Sequence, residues 1–324
     1  MAKNQNSANK APVTAANAKG ITKTLIMMRK HWQIYVLLIA PLLWYALFAY
    51  YPLAGLQLAF KVYKAKRGIW GSPWADPLWQ NYTALFRDAF FWRSVRRTLI
   101  INFGRLFIVF PFPIILALAL NELRLGKSKK IMQTVFTFPH FLSWVIVVAI
   151  MRNLLSVDGL VNVALKAAGH DAINFLGSES LFQPMLYITD IWKGAGYSSI
   201  IYLSAISGID QDQYEAAEVD GASRWQRLIH ITLPNIMGTV SVMFILATGN
   251  LMTNGFDQIF NLSNAATKNV AEVLDMYIYR ITFQASADFG FSTAVSLFRS
   301  IINMILLVTA DRVSKRLGGS GLFA

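Results

Sequence analysis

The sequence contains no cysteine, which excludes a disulfide framework, a cysteine-ligated zinc site and a thiol nucleophile. Charge is scarce as well. Only 15% of the 324 residues are Asp, Glu, Lys or Arg, against about 25% in soluble domains. Acidic residues are the scarcer half, 17 against 30 Lys and Arg, and residues 1–30 contain none. The four histidines, His31, His140, His170 and His230, are scattered. With no HExxH pattern and no paired-carboxylate spacing, the chain lacks the acid–base or metal cluster that a membrane enzyme needs. It therefore reads as a non-enzyme with no metal site. No internal repeat is visible.

What the chain has in abundance is apolar surface. Hydrophobic residues make up 55%, with 22 Phe, 12 Tyr and 9 Trp, and the mean hydropathy is +0.43. A net charge of +13 in so apolar a chain points to membrane spans with basic flanks, not to nucleic acid. A hydrocarbon core about 30 Å thick needs about 20 apolar residues per helix. By that measure we count six spans, and the fold class is an all-α membrane protein. The first runs from Ile34 to about Phe60, with kinks expected at Pro41 and Pro52. The second covers Thr98–Leu120, the third Ile131–Leu155, and the fourth lies within Leu181–Ile209. The fifth runs from Leu233 to about Asn254 and the sixth over Phe291–Ala310.

The parts divide accordingly: a tail (1–30), a first helix (31–60), and a loop with an interfacial helix (61–97). A core of five spans (98–311) and a short tail (312–324) follow. The piece FRDAFFWRSVRR at 86–97 has the aromatic and basic character of a membrane interface. Too long an apolar stretch follows the basic N-terminus for a cleavable signal. With the N-terminus inside, inner segments hold 15 Lys and Arg and outer segments 12, eight of them in the first outer loop. That is a mild preference for both termini in the cytoplasm, and the eight run against it.

Gly126-Lys127-Ser128 looks like the end of a phosphate-binding loop, but position 121 is Asn and Lys129 and Lys130 follow. A solvated basic loop is the better reading, so this chain is not expected to bind ATP. Charges inside spans carry more information, because each is costly at mid-bilayer. Asp190 and Lys193 lie three apart on one helix face, so they are expected to neutralise each other. Arg105 and Arg299 are expected to snorkel towards span ends. Around the acidic residue, Trp192, Lys193, Tyr197 and Ser198, with Asn250 and Asn254 on the fifth span, form a candidate substrate path. Amides bond sugar hydroxyls and aromatic faces stack on sugar rings, although such residues also join helices in membranes.

The hydrophilic link 210–232 reads EAAEVDGASRWQRLIHITLP from 215 to 234. A helix is expected up to Asp220, a turn at Gly221, and a second short helix over Arg224–Ile231 before Pro234 opens the fifth span. Two short helices across a membrane face make a knob that a partner's groove can hold.

This segment is similar to the signature loop of the permease subunits of ABC importers. The matching positions are Glu215-Ala216-Ala217, three residues, Gly221, nine residues, Ile231, one residue, then Leu233-Pro234. The resemblance implies the type I importer permease fold and a coupling helix seated in a cytoplasmic ATPase. It implies coupling residues Glu215, Ala216, Ala217, Asp220, Gly221, Ala222, Arg224, Leu233 and Pro234. It also implies a bacterial inner-membrane location with both termini inside. The partners it implies are a second homologous permease, two ATP-binding subunits holding ATP and Mg, and an extracytoplasmic sugar-binding protein. The stretches YPLAGLQLAFKVY (51–63), GIWGSPW (68–74), NYTALFRDAFFWRSVRRTLIINF (81–103) and SKRLGGSGLFA (314–324) resemble the oligo- and polysaccharide branch. Arg97-Thr98 stands where that branch has Asn-Thr. Alginate and rhamnogalacturonan-type importers of the branch are alike at this level. An ion-driven secondary transporter is the alternative, but it needs acidic residues at mid-membrane, and only Asp190 qualifies.

Overall fold

The structure is a computed structural model, and it describes residues 27–123, 126–253, 255–284, 288–316 and 318–323. Two units are present, Met1–Gln57 and Leu58–Ala324.

The first unit contains α1 (Trp32–Tyr45), which runs on through a π-turn at Ala46–Tyr50 and into a 3-10 stretch at Tyr51–Phe60 whose last three residues belong to the second unit. Trp32–Phe60 is long and apolar enough to cross a membrane, and its most apolar 18-residue stretch has no buried residue; only Leu58 and Ala59, at its end, are buried. A helix that is apolar all round and unburied in its own chain belongs in lipid. Pro41 sits inside the helix.

The second unit is helical. Its elements are α2 (Gln80–Arg87), α3 (Ala89–Gly104), α4 (Pro111–Glu122), α5 (Lys127–Thr137), α6 (Trp144–Leu155) and α7 (Leu160–Ala167). They are followed by α8 (Glu179–Ser207), α9 (Gln211–Val219), α10 (Arg224–Arg227), α11 (Leu233–Gly249), α12 (Phe256–Leu262), α13 (Leu274–Tyr279) and α14 (Phe289–Arg316). Four of its helical segments are long and apolar enough to cross a membrane: Ala89–Glu122, Trp144–Ala167, Arg224–Gly249 and Phe289–Arg316. The expected fourth span is α8. At 29 residues it is about 43 Å long, long enough to cross, but with Asp190, Lys193 and its hydroxyls it is not among the five helices that are also apolar enough.

Three boundaries differ from the sequence expectation. The second span starts at Ala89, not Thr98, because the Asp88 side chain accepts a bond from Phe90 N and nothing breaks the chain before Pro111. The interfacial piece and the span are one helix, relaxed by a π-turn at Arg105–Val109. The third span is broken: α5 ends in a 3-10 turn at Phe138–Phe141, and Ser143 caps α6. Pro139 lacks the N–H that a continuing helix needs. The second short helix of the link does not stand apart, since α10 continues through a π-turn at Leu228–Thr232 into α11.

Three apolar clusters hold the unit. Ile101, Val147, Phe182, Leu186 and Ile259 join α3, α6, α8 and α12. Leu85, Phe91, Met252, Leu274 and Val295 join α2, α3, α13 and α14. Ala117, Leu120, Tyr202, Ile206 and Ile236 join α4, α8 and α11. Helices α11 and α14 are antiparallel: Gly249 lies against Leu307, while Gly238 lies against Ser320 beyond the end of α14. The start of α11 and the end of α14 therefore share one face of the bundle, and the start of α14 lies on the other.

Candidate functional site

At the first of these faces the link 210–232 forms a braced knob. The Asp210 side chain caps α9 by accepting from Asp212 N at 3.1 Å. The chain reverses at Gly221, whose φ of +79° is a left-handed value that disfavours a side chain. Gly221 N donates to Glu218 O at 3.0 Å and Ala222 N to Ala217 O at 2.9 Å, so the last carbonyls of α9 are satisfied. Ser223 and Gln226 form a capping box at α10. Arg227 pairs with Glu218 across the turn at 2.6 Å. Tyr214 bonds Thr232 at 2.8 Å, and Asn235 donates to Gln213 at 3.1 Å, tying α9 to the start of the fifth span.

Glu215, Ala216, Asp220, Gly221, Arg224 and Pro234 are exposed on this knob, while Ala217, Ala222 and Leu233 are half-buried. Among the described residues Glu215 has no ion-pair partner. The sequence reading missed two residues here. Val219 is 88% and Trp225 68% exposed, side by side in sequence with the Gly221 turn. Two bare apolar side chains in so hydrophilic a link were the available signal.

Deeper in the bundle, Arg105 organises a buried network. Its side chain is only 6% exposed, and Nε donates to Asp190 Oδ2 at 2.7 Å. Nη1 donates to Asn102 Oδ1 at 2.9 Å, and Nη2 bonds Gln258 Oε1. Asn102 in turn donates to Leu251 O at 2.6 Å, and Gln258 to Leu186 O and Thr189 Oγ1 at 2.8 and 2.9 Å. One guanidinium thus ties the second span, α8 and α12 together. Gly255, at φ +96°, lies where a Cβ would collide with that guanidinium. Gly255→Ala is expected to lower the unfolding midpoint of the purified protein and to displace Arg105. An unchanged melting curve would remove Gly255 from this account.

Two sequence expectations are corrected here. Asp190 pairs with Arg105, not with Lys193. Lys193 Nζ instead donates to His140 O at 2.7 Å and lies 5.5 Å from the Trp144 ring centroid. Neither arginine snorkels: Arg105 is buried, and Arg299 bonds Asp275 on α13. A buried guanidinium matched to a carboxylate satisfies its donors without reaching water.

The candidate path residues divide by helix geometry. Asp190, Ser198 and Asn250 line a cavity of about 560 Å³ with Arg105, Tyr202 and Thr253. Lys193 and Tyr197 turn to the break in the third span, where the Tyr197 and His140 rings stack at 3.9 Å and 4°. Trp192 lies on the far side of α8, exposed and outside the cavity. Asn254 lies outside the described residues. Asp190 and Thr253 also line a second cavity of about 290 Å³ with Trp144, Phe256 and Gln258. The Arg105–Asp190 pair therefore stands at the wall between two cavities.

Residues 109–319 match the family described as "Binding-protein-dependent transport system inner membrane component". Protein LplB of Bacillus subtilis (strain 168) is 38% identical over 314 residues, 97% of each chain. The polygalacturonan/rhamnogalacturonan transport system permease protein YteP of the same strain is 38% identical over 302 residues, 93% of each. In solved structures, a chain of a bacterial ABC transporter involved in import of the acidic polysaccharide alginate superposes with a TM-score of 0.82. It is 35% identical, and the match covers 91% of this chain and 99% of that one. A second such structure, an alginate ABC transporter in complex with alginate pentasaccharide-bound periplasmic protein, gives 0.82 at 34% identity, covering 91% and 98%.

Proposed function

The chain belongs to the family of binding-protein-dependent transport system inner membrane components, and from that membership we propose that it is the translocating permease of an ATP-driven importer for acidic oligo- or polysaccharides. The observation that carries the coupling half of this reading is the knob. Its fixed positions lie on a rigid helix–glycine–helix unit continuous with the fifth span, so a push on the knob moves that helix as a body. A partner that grips residues 211–227 in a cleft shifts the bundle between two packings, the bistable element that alternating access requires.

In this reading ATP and Mg are bound by two cytoplasmic ATPase subunits, a second homologous permease completes the pathway, and an extracytoplasmic binding protein delivers the saccharide. The knob faces the cytoplasm, which puts both termini inside, in the inner membrane of a bacterium. Glu215 makes a polar contact to the ATPase, and this chain itself carries out no covalent step.

The substrate half rests on chemistry. One relative is named for polygalacturonan/rhamnogalacturonan transport and a structural neighbour belongs to an importer of the acidic polysaccharide alginate, and carboxylate-bearing sugars suit a path with cations beside it. We assign the path to the 560 Å³ cavity (Asp190, Ser198, Asn250) and to the broken third span beside it. Non-helical backbone at membrane depth is tolerated where it lines a water-filled cavity or is buried in protein. There Lys193 offers charge, and Tyr197 on His140 offers a stacking face.

The test is co-purification from native membranes with and without Glu215→Lys. The importer reading expects an ATPase and a second permease to accompany the wild-type chain. The variant is expected to lose the ATPase and saccharide uptake while keeping its melting temperature, because Glu215 is exposed and makes no ion pair among the described residues. If the chain emerges alone, or uptake survives charge reversal, the coupling assignment fails and an ion-driven mechanism becomes the better account.

A further inference from the structure

The eight cations of the segment 61–97 lie outside the knob and the path assigned above. One of them is structural. Lys61 is 3% exposed, its ammonium donates to Ile69 O at 3.0 Å and Trp70 O at 3.4 Å, and it lies 4.7 Å from the Trp74 ring centroid. Lys61 and Trp74 also form a backbone bridge. Inside this knuckle Ser72 Oγ accepts from Lys64 N at 2.9 Å and donates to Gly68 O at 2.6 Å. A buried lysine and a serine thus pin a short loop that carries Lys64, Lys66 and Arg67, all exposed. None of these three has a carboxylate within ion-pair distance among the described residues. Beside them Trp70 is 70% exposed, and Trp74 and Trp79 are exposed as well.

The place of the knuckle is known within its own unit. The Tyr63 ring meets Phe289 at 5.3 Å, and the Lys61 carbonyl lies against Gly290. Both contacts are at the start of α14, the end of the bundle away from the coupling knob. In sequence the knuckle follows directly on the apolar segment Trp32–Phe60. Exposed tryptophans at the end of a span occupy the headgroup level of a bilayer, and unpaired Lys and Arg at that level attract anionic lipid.

We propose that the 61–74 knuckle is a seat for anionic phospholipid, with the phosphate held between Lys64, Lys66 and Arg67 and the glycerol region against Trp70 and Trp74. Calling its leaflet the outer one rests on the orientation proposed above; the lipid contact itself does not. This assignment gives three of the eight cations that break the positive-inside pattern a partner. It favours lipid over an acidic saccharide because the same loop places its bare indoles where acyl chains meet headgroups.

The importer, purified with and without Lys64→Gln/Lys66→Gln/Arg67→Gln, is reconstituted in nanodiscs of phosphatidylcholine with a minority of phosphatidylglycerol. After re-extraction in mild detergent, the lipids retained are counted by mass spectrometry. The wild type is expected to enrich phosphatidylglycerol several-fold over its share. The triple variant is expected to lose that enrichment, raised salt to weaken it, and Lys64→Arg/Lys66→Arg/Arg67→Lys to keep it. Because the three residues are exposed, the triple variant keeps its melting temperature. Equal enrichment in both proteins overturns the proposal. So does a variant that retains its lipid but loses capture of an oligogalacturonate from solution, which would make the knuckle a substrate surface. Failure of the Glu215→Lys test leaves this result unaffected.

Discussion

Arg105→Leu is expected to be among the most destabilising single substitutions in the chain, on the order of 3–5 kcal/mol. The loss is larger than that of a single hydrogen bond because Arg105 satisfies at least three acceptors, Asp190, Asn102 and Gln258, among the described residues. Removing it strands the Asp190 carboxylate, whose side chain is 19% exposed, and deprives Asn102 and Gln258 of their shared donor. Three elements would then lose their common tie at the wall between two cavities. The measurement is thermal unfolding of the purified importer together with the amount of chain recovered from membranes.

The double variant Arg105→Leu/Asp190→Leu separates the pair from its surroundings. A matched buried pair replaced by apolar groups often costs little, whereas a broken pair costs much. The double variant is therefore expected to melt above Arg105→Leu alone, and the cycle to report a coupling energy of a few kcal/mol. If the single and double variants melt together, Asp190 is not what Arg105 holds.

The second large effect is expected at the knob. Val219 and Trp225 are bare in this chain, and a large apolar side chain on a rigid knob is the kind of group that anchors an interface. Trp225→Ala is expected to cost at least 2 kcal/mol of ATPase affinity, about thirtyfold in the dissociation constant. Val219→Asp is expected to do the same by placing a charge in an apolar contact. Neither changes the melting point of this chain, since neither side chain packs inside it. Titration of isolated ATPase onto the reconstituted permease gives the affinity. Unchanged binding in both variants would show that the knob contacts its partner through its polar face alone.

The sequence by itself determined what is local. Apolar runs of span length marked the membrane segments, because the thickness of hydrocarbon sets the number of residues required. The helix–turn–helix link between Asp210 and Pro234 was marked by its composition, and Gly221 marked its turn, because helix capping and a left-handed φ depend on near neighbours. The break in the third span was written at Pro139, but hydropathy averages over single residues and passed across it.

What the tertiary structure alone decided was which partners the buried charges take. Asp190 had a lysine three residues away on its own helix, and short-range reasoning chose it. In the fold a guanidinium 85 positions distant reaches it first, and Lys193 turns instead to a carbonyl exposed by the break in another span. Helical periodicity limits which face a side chain occupies, but not which helix packs against that face. In a low-dielectric interior that second choice settles where each charge is neutralised.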